Sequence, residues 1–178
     1  MRNCSFHRKK HAPAFTLIEL MVVVAIIVLL SGMTVGISAL VQKKSLITRA
    51  NAQLKVFESS LDSYKAVVGS YPLEDDEEGL VLYKVLFGDG VGRDGIPDNG
   101  DEDESFDGKP DPGATIYLPD LDPSSNARNM LRMDESGEEV PSAVIDPFGN
   151  PWRYRLGGKA DSMNPDFDLY SAGPDGIY

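Results

Sequence analysis

One carboxylate stands where a carboxylate is expensive. Glu19 lies inside an apolar segment that opens at Phe15 and is unbroken over residues 20–30. An ionised side chain within a hydrocarbon layer costs at least ~2.5 kcal/mol, so such a residue calls for a partner of opposite charge. A cut after Ala14 would supply one. Phe15 would then carry a free α-amine at the membrane face, able to neutralise Glu19 of a neighbouring copy. That chemistry is docking, not catalysis. A second set of carboxylates, Asp89, Asp94, Asp98, Asp101 and Asp103, lies among glycines, densest in D-G-I-P-D-N-G-D-E-D at 94–103. Such spacing can wrap oxygen ligands around a hard cation such as calcium. The same residues also make an ordinary solvated acidic loop.

Other chemistry is excluded by what is missing. The two histidines, His7 and His11, and the single cysteine, Cys4, all precede Ala14. Downstream there is no histidine for a Ser-His-Asp triad, no Cys-His pair and no imidazole ligand for zinc. No disulfide can form there either. No phosphate-binding glycine loop or dinucleotide fingerprint is present. The formal net charge is −11, and Arg2, Arg8, Lys9 and Lys10 lie in the first 14 residues, so the remainder is more acidic still. A basic surface for nucleic acid or anionic lipid is thereby excluded. We expect no enzyme.

The elements that must position these groups follow from the pattern. Residues 1–14 form a short basic leader without acids, which holds that end in the cytoplasm. Residues 15–41 read as one helix roughly 40 Å long, enough to span a bilayer with some tilt. A plain signal anchor would account for the flank and the run but not for Glu19. A secretory signal peptide would instead be cut near Ser38 and Ala39. From 43 to 68 the helical period continues with one apolar face, at Leu46 or Ile47, Ala50, Leu54, Phe57, Leu61, Tyr64 and Val68. No proline or glycine interrupts 41–68, so both stretches are expected to form one helix. Its lower stripe packs on the domain and its upper part between subunits. Gly69-Ser70-Tyr71-Pro72 ends it.

Beyond the helix, residues 73–87 predict a second short helix with acids in its first turn. The loop 88–113, rich in glycine, proline and acid, predicts no packed element. Residues 115–118 are β-prone, 124–133 suggest a turn of helix, and 134–141 a polar loop. Residues 144–145, 152–156 and 167–170 predict three antiparallel strands laid on the amphipathic helix, with Trp152, Tyr154, Phe167 and Leu169 in the core. The fold class is α+β, with a membrane and assembly helix at 15–41 and an extracytoplasmic domain at 42–178.

The string AFTLIELMVVVAIIVLL at 14–30 resembles the prepilin signal of type IV pilins and type II secretion pseudopilins. The resemblance implies that a prepilin peptidase cuts between Ala14 and Phe15 and methylates the new amine, and that Glu19 directs subunit docking. The family usually has glycine before the cut, where this chain has Ala14, and often a proline late in the span, where Gly36 loosens the helix instead. G-S-Y-P followed by E-E-G-L-V-L-Y-K-V-L at 77–86 resembles the pseudopilin segment after the long helix. D-P-F-G-N-P-W-R-Y at 146–154 and F-D-L-Y-S-A-G-P-D-G at 167–176 resemble the closing β-segment of the major pseudopilin. In that family the final loop binds calcium. Carried over, Asp175 supplies a carboxylate, and Leu169 and Ser171 supply carbonyls. The acidic loop resembles the aspartate repeats of thrombospondin type 3 modules, which makes Asp94, Asp98, Asp101 and Asp103 further candidate calcium ligands.

The resemblance covers residues 14–83 and 144 to the end. It implies a structural subunit of a type II secretion pseudopilus, a helical homo-oligomer that supports protein export. The partners would be the prepilin peptidase, the inner-membrane secretion platform and minor pseudopilins. The place would be the bacterial inner membrane, single-pass, with the domain in the periplasm. The alternative is a type IV pilus subunit for adhesion or motility.

Overall fold

In the computed structural model, residues 15–73, 79–97, 100, 104–135, 140–158 and 162–178 are described, apart from the side chains of 33–39. The chain divides into two compact units, Met1–Gln42 and Lys43–Tyr178. Helix α1 runs Leu17–Val68. Among the described residues no helix is long and apolar enough to cross a membrane. The expected span at 15–41 includes residues 33–39, whose side chains lie outside the described residues.

Within the first unit the described side chains of α1 are exposed, and over residues 17–30 all but Glu19 are apolar. Phe15 is 79% exposed, and Leu20, Val24, Ile27 and Leu30 are all more than half exposed. Within the second unit the expected stripe is buried. Phe57 and Leu61 are fully enclosed and Tyr64 nearly so, with Ala50, Leu54 and Val68 packed beside them. The helix stops where glycine allows it: Gly69 turns to φ +98° while its N–H still reaches Lys65 O at 2.8 Å.

The second helix is shorter than the sequence suggests. Helix α2 is Leu80–Tyr83, and it runs into a π-helical turn at Lys84–Gly88. Residues 74–78, where acids were expected in its first turn, lie outside the described residues. Gly79 opens α2 in the left-handed region, and a Cβ there would meet Trp152 O at 2.3 Å. At the described start of α2 the backbone of Gly79 comes up against the backbone of Trp152, which leaves no room for a side chain there.

Among the described residues four strands form two antiparallel hairpins, where the sequence suggests one three-stranded sheet. Strand β1, Leu131–Met133, pairs with β2, Pro141–Val144, with an irregularity between Arg132 and Met133. Strand β3, Arg153–Leu156, pairs with β4, Phe167–Tyr170, in the register Tyr154↔Leu169. The hairpins are joined by an Ile145↔Pro151 bridge and a Trp152 N–H to Val144 O bond of 2.8 Å. The prolines at 147 and 151 explain the break, since neither can donate to a ladder.

Residues 115–118 form no strand, and 124–133 hold turns followed by β1 instead of a helical turn. Pro141, expected in a loop, begins β2. A short 3-10 turn, Pro119–Leu121, buries Leu121 instead. Of the expected core, Trp152 and Tyr154 are buried, while Phe167 and Leu169 are half-buried against them. Trp152 meets Phe57 edge to face with ring centroids 5.7 Å apart, which fixes β3 to α1. Tyr154 Oη donates to Pro72 O at 2.8 Å and ties the same strand to the helix exit.

Candidate functional site

The sequence places Glu19 two residues into α1, and the local structure explains what its carboxylate does in a single chain. The segment T-L-I-E at 16–19 has capping-box spacing. Thr16 N–H donates to Glu19 Oε2 at 3.0 Å and Thr16 Oγ1 donates to the same oxygen at 2.8 Å. In return, Glu19 N–H donates to Thr16 Oγ1 at 3.3 Å. The first turn of α1 has unsatisfied N–H groups, and this pair satisfies two of them. The negative charge also sits at the positive end of the helix dipole. Glu19 shares a shallow hollow with Phe15, Ile18, Val22 and Val23. Ala14, one side of the expected cut, lies outside the described residues; Phe15 is described and open to solvent. The sequence reading sought a partner for Glu19 in a second copy and missed Thr16, although the three-residue spacing to Thr16 carried the signal.

The candidate calcium ligands are spread over several local structures. Asp98, Asp101 and Asp103 lie outside the described residues. Asp94 is exposed, and its Oδ1 accepts the Ile96 N–H at 2.9 Å. Leu169 sits in the β3–β4 ladder. Ser171 Oγ donates a short hydrogen bond to Asp146 Oδ2 and accepts the Gly173 N–H at 2.9 Å. Asp175 closes a 3-10 turn, Gly173–Asp175, and is exposed. Among the described residues no three acids, histidines or cysteines lie together as metal ligands.

Among the described residues four aspartates are buried, and one of them, Asp89, belongs to the acidic set read above as possible cation ligands. The acidic loop does build a packed element at its two ends. Asp89, fully enclosed, accepts Tyr83 Oη at 2.6 Å and the N–H groups of Asp107 and Gly108 at 3.1 and 2.9 Å. Asp111, 4% exposed, accepts Val91 N–H at 2.8 Å, Gly92 N–H at 2.9 Å and Ser105 N–H at 3.0 Å. Each limb of the loop thus supplies the carboxylate that holds the backbone of the other. Burial raises the Asp89 carboxyl above its ordinary value, against the pull of its three donors, and drives the Tyr83 phenol far up.

Asp146 and Asp168 organise the turns of the C-terminal region. Asp146 Oδ1 accepts Phe148 N–H at 2.8 Å and Asn150 N–H at 2.9 Å. Asp168 accepts Met163 and Asn164 N–H, each at 2.9 Å, with Arg155 at 3.5 Å. Burial pushes the Asp168 carboxyl up, but those N–H groups and the guanidinium outweigh it and hold the group below the ordinary range. The D-P-x-G-N string announced the Asp146 turn. Asp89 and Asp111 had no local signal, because their backbone partners are up to 20 residues away.

Residues 9–35 match the family model described as the prokaryotic N-terminal methylation motif. No curated protein and no solved structure matches the chain. The matched segment contains both sides of the Ala14–Phe15 junction, Thr16, Glu19 and the exposed apolar turns of α1. It supports a structural subunit of the type IV pilin-like class, pilin or pseudopilin, that is processed by a prepilin peptidase and assembled into a filament.

Proposed function

We propose that this chain is a structural subunit of a type II secretion pseudopilus. The peptidase cuts between Ala14 and Phe15, the new amine is methylated, and residues 15–41 anchor the subunit in the inner membrane with the domain outside. Subunits then leave the membrane and stack helically to support protein export, in contact with the secretion platform and minor pseudopilins. The observation that carries this reading is the methylation motif at 9–35, overlapping the first turns of α1, whose apolar side chains over residues 17–30 are exposed among the described residues. The C-terminal strings D-P-F-G-N-P-W-R-Y and F-D-L-Y-S-A-G-P-D-G favour the secretion filament over a type IV pilus.

Glu19 has two roles in sequence. In the monomer the Thr16 cap satisfies its hydrogen bonds but leaves its charge. In the filament a neighbour's Phe15 amine neutralises that charge. Mass spectrometry of the mature chain tests the first step: a methylated N-terminus at Phe15 is expected, and a start at Met1, or at Ala39 or beyond, overturns the reading. Glu19→Val should still insert yet be absent from filaments, and normal assembly of that variant removes the docking role.

Calcium belongs to the same reading, supported by the spacing of the aspartates in the acidic loop and final turn. An ion that binds only the folded state adds about 2.7 kcal/mol at a hundredfold excess over Kd. A melting temperature higher in calcium than in chelator is expected, and an unmoved one removes calcium.

A further inference from the structure

We propose that a cavity on the Lys43–Tyr178 unit receives the turn at residues 94–97 of a second copy of this chain. The proposal rests on the filament reading above. The cavity, about 440 Å³, is walled by Leu46, Arg49, Gln53 and Val56 of α1 and, across from them, by Arg128 and Met130. That volume lies within the range of ligand-sized clefts. Its charge is uneven. Arg128 is paired with Asp120 at 3.2 Å, whereas Arg49 has no ion-pair partner among the described residues. One uncompensated guanidinium beside an apolar floor suits a carboxylate next to a bulky aliphatic group. Gln53 Oε1, in the same wall, is buried with no donor, and a turn of that side chain would bring it to an incoming N–H.

The turn at 94–97 has that composition. Asp94 is exposed and Ile96 is 39% exposed. The turn is also held in place. Asp94 Oδ1 caps the Ile96 N–H at 2.9 Å, and the buried Tyr64 donates to Gly95 O at 2.9 Å. A preformed turn loses little conformational freedom on docking. Acids outnumber bases 28 to 17 in this chain, so a cavity holding an arginine without an ion-pair partner among the described residues complements an acidic surface of a second copy. Cavity and turn are different patches, so the contact is heterologous; it does not close a two-fold dimer, and it propagates into an open filament where its rotation closes no ring. On α1, Tyr64 beneath the turn lies roughly 16 Å beyond Gln53, which sets the scale of the offset between the two copies.

The test uses the full chain with Cys4→Ser, which removes the only cysteine. Two differently tagged chains are co-expressed, one carrying Ala52→Cys in the cavity wall and one carrying Ile96→Cys. Oxidation should yield a dimer bearing both tags. Arg49→Glu on the first chain should lower its yield about tenfold, and Asp94→Arg on the second should restore it. Purified filaments without the mixed dimer overturn the contact, as does a yield indifferent to the charge swap. Intact filaments without the dimer refute this contact alone. Uncut chains that form no filament refute the proposed function, and the contact falls with it.

Discussion

Between Phe57 and Tyr64, α1 sinks its apolar side chains beneath α2, the π-helical turn and β3. Between Leu17 and Leu30 the same helix carries side chains of the same kind, and all are exposed. The hydrophobic effect does not distinguish the two halves, since each apolar side chain gains about 1.5–3 kcal/mol from full burial wherever it is buried. The distinction is the source of the cover. One half is covered by residues later in the chain, which come as an apolar stripe on a polar helix. The other has no stripe because, Glu19 apart, it is apolar all round, the pattern of a helix that is surrounded. The packed core of the domain and the exposed apolar surface therefore lie on separable stretches of one helix.

Substitutions can break that separation or sharpen it. Trp152 is the only tryptophan and packs on Phe57, so its fluorescence reports folding of the domain. Phe57→Ala should cost about 3–5 kcal/mol in a Trp152-monitored denaturant titration. A loss below 1 kcal/mol would mean that the lower stripe is no more covered than the upper half. Asp89→Asn should cost less, about 1–3 kcal/mol, because one amide group must face N–H donors it cannot accept.

The two buried carboxylates should also give opposite pH slopes. The raised Asp89 holds its proton more tightly when folded, so its contribution falls as pH rises from 3.8 through its folded value. The lowered Asp168 does the reverse, and its contribution is lost as pH falls below 3.8. Stability measured against pH in Asp89→Asn and Asp168→Asn should lose the first slope and the second, respectively. Identical profiles in both variants would contradict the assignment.

Thr16→Val removes the cap on Glu19 and should cost about 1 kcal/mol of helix stability at the first turn. It is expected to leave the Trp152 transition in place while altering hydrogen exchange of the α1 N-terminus. Val24→Ala should move the Trp152 transition by no more than about 0.5 kcal/mol. A larger shift would show that the upper half is covered by its own chain.

What was legible in the sequence was whatever repeats locally. The stripe from Ala50 to Val68, the exit at Gly69, and β3 and β4 each follow from neighbours a few positions apart, and they appear where expected. The hairpin β1–β2 was not legible. Leu131–Met133 is three residues long, and its partner begins with a proline, so no alternation announces it. The acidic loop was legible as a run of carboxylates and glycines but not as a clasp. Asp89 and Asp111 find their N–H partners across the loop, and composition alone cannot say which carboxylate turns inward. The Glu19 cap is legible as T-x-x-E at 16–19, a local signal set at the head of the apolar run.

The bond from Tyr154 to Pro72 closes an interval of 82 residues, and the pair Lys65–Asp166 closes one of 101. A chain made from its N-terminus therefore presents the α1 stripe long before the strands that shelter it exist. Local turns and the β3–β4 hairpin can form at once, but the domain cannot lock until its last segment is released. During that interval Phe57, Leu61 and Tyr64 form an open apolar surface on a finished helix. The exposure is a matter of time: the stripe stays open for as long as it takes to deliver Trp152 and Tyr154, and closes when they arrive.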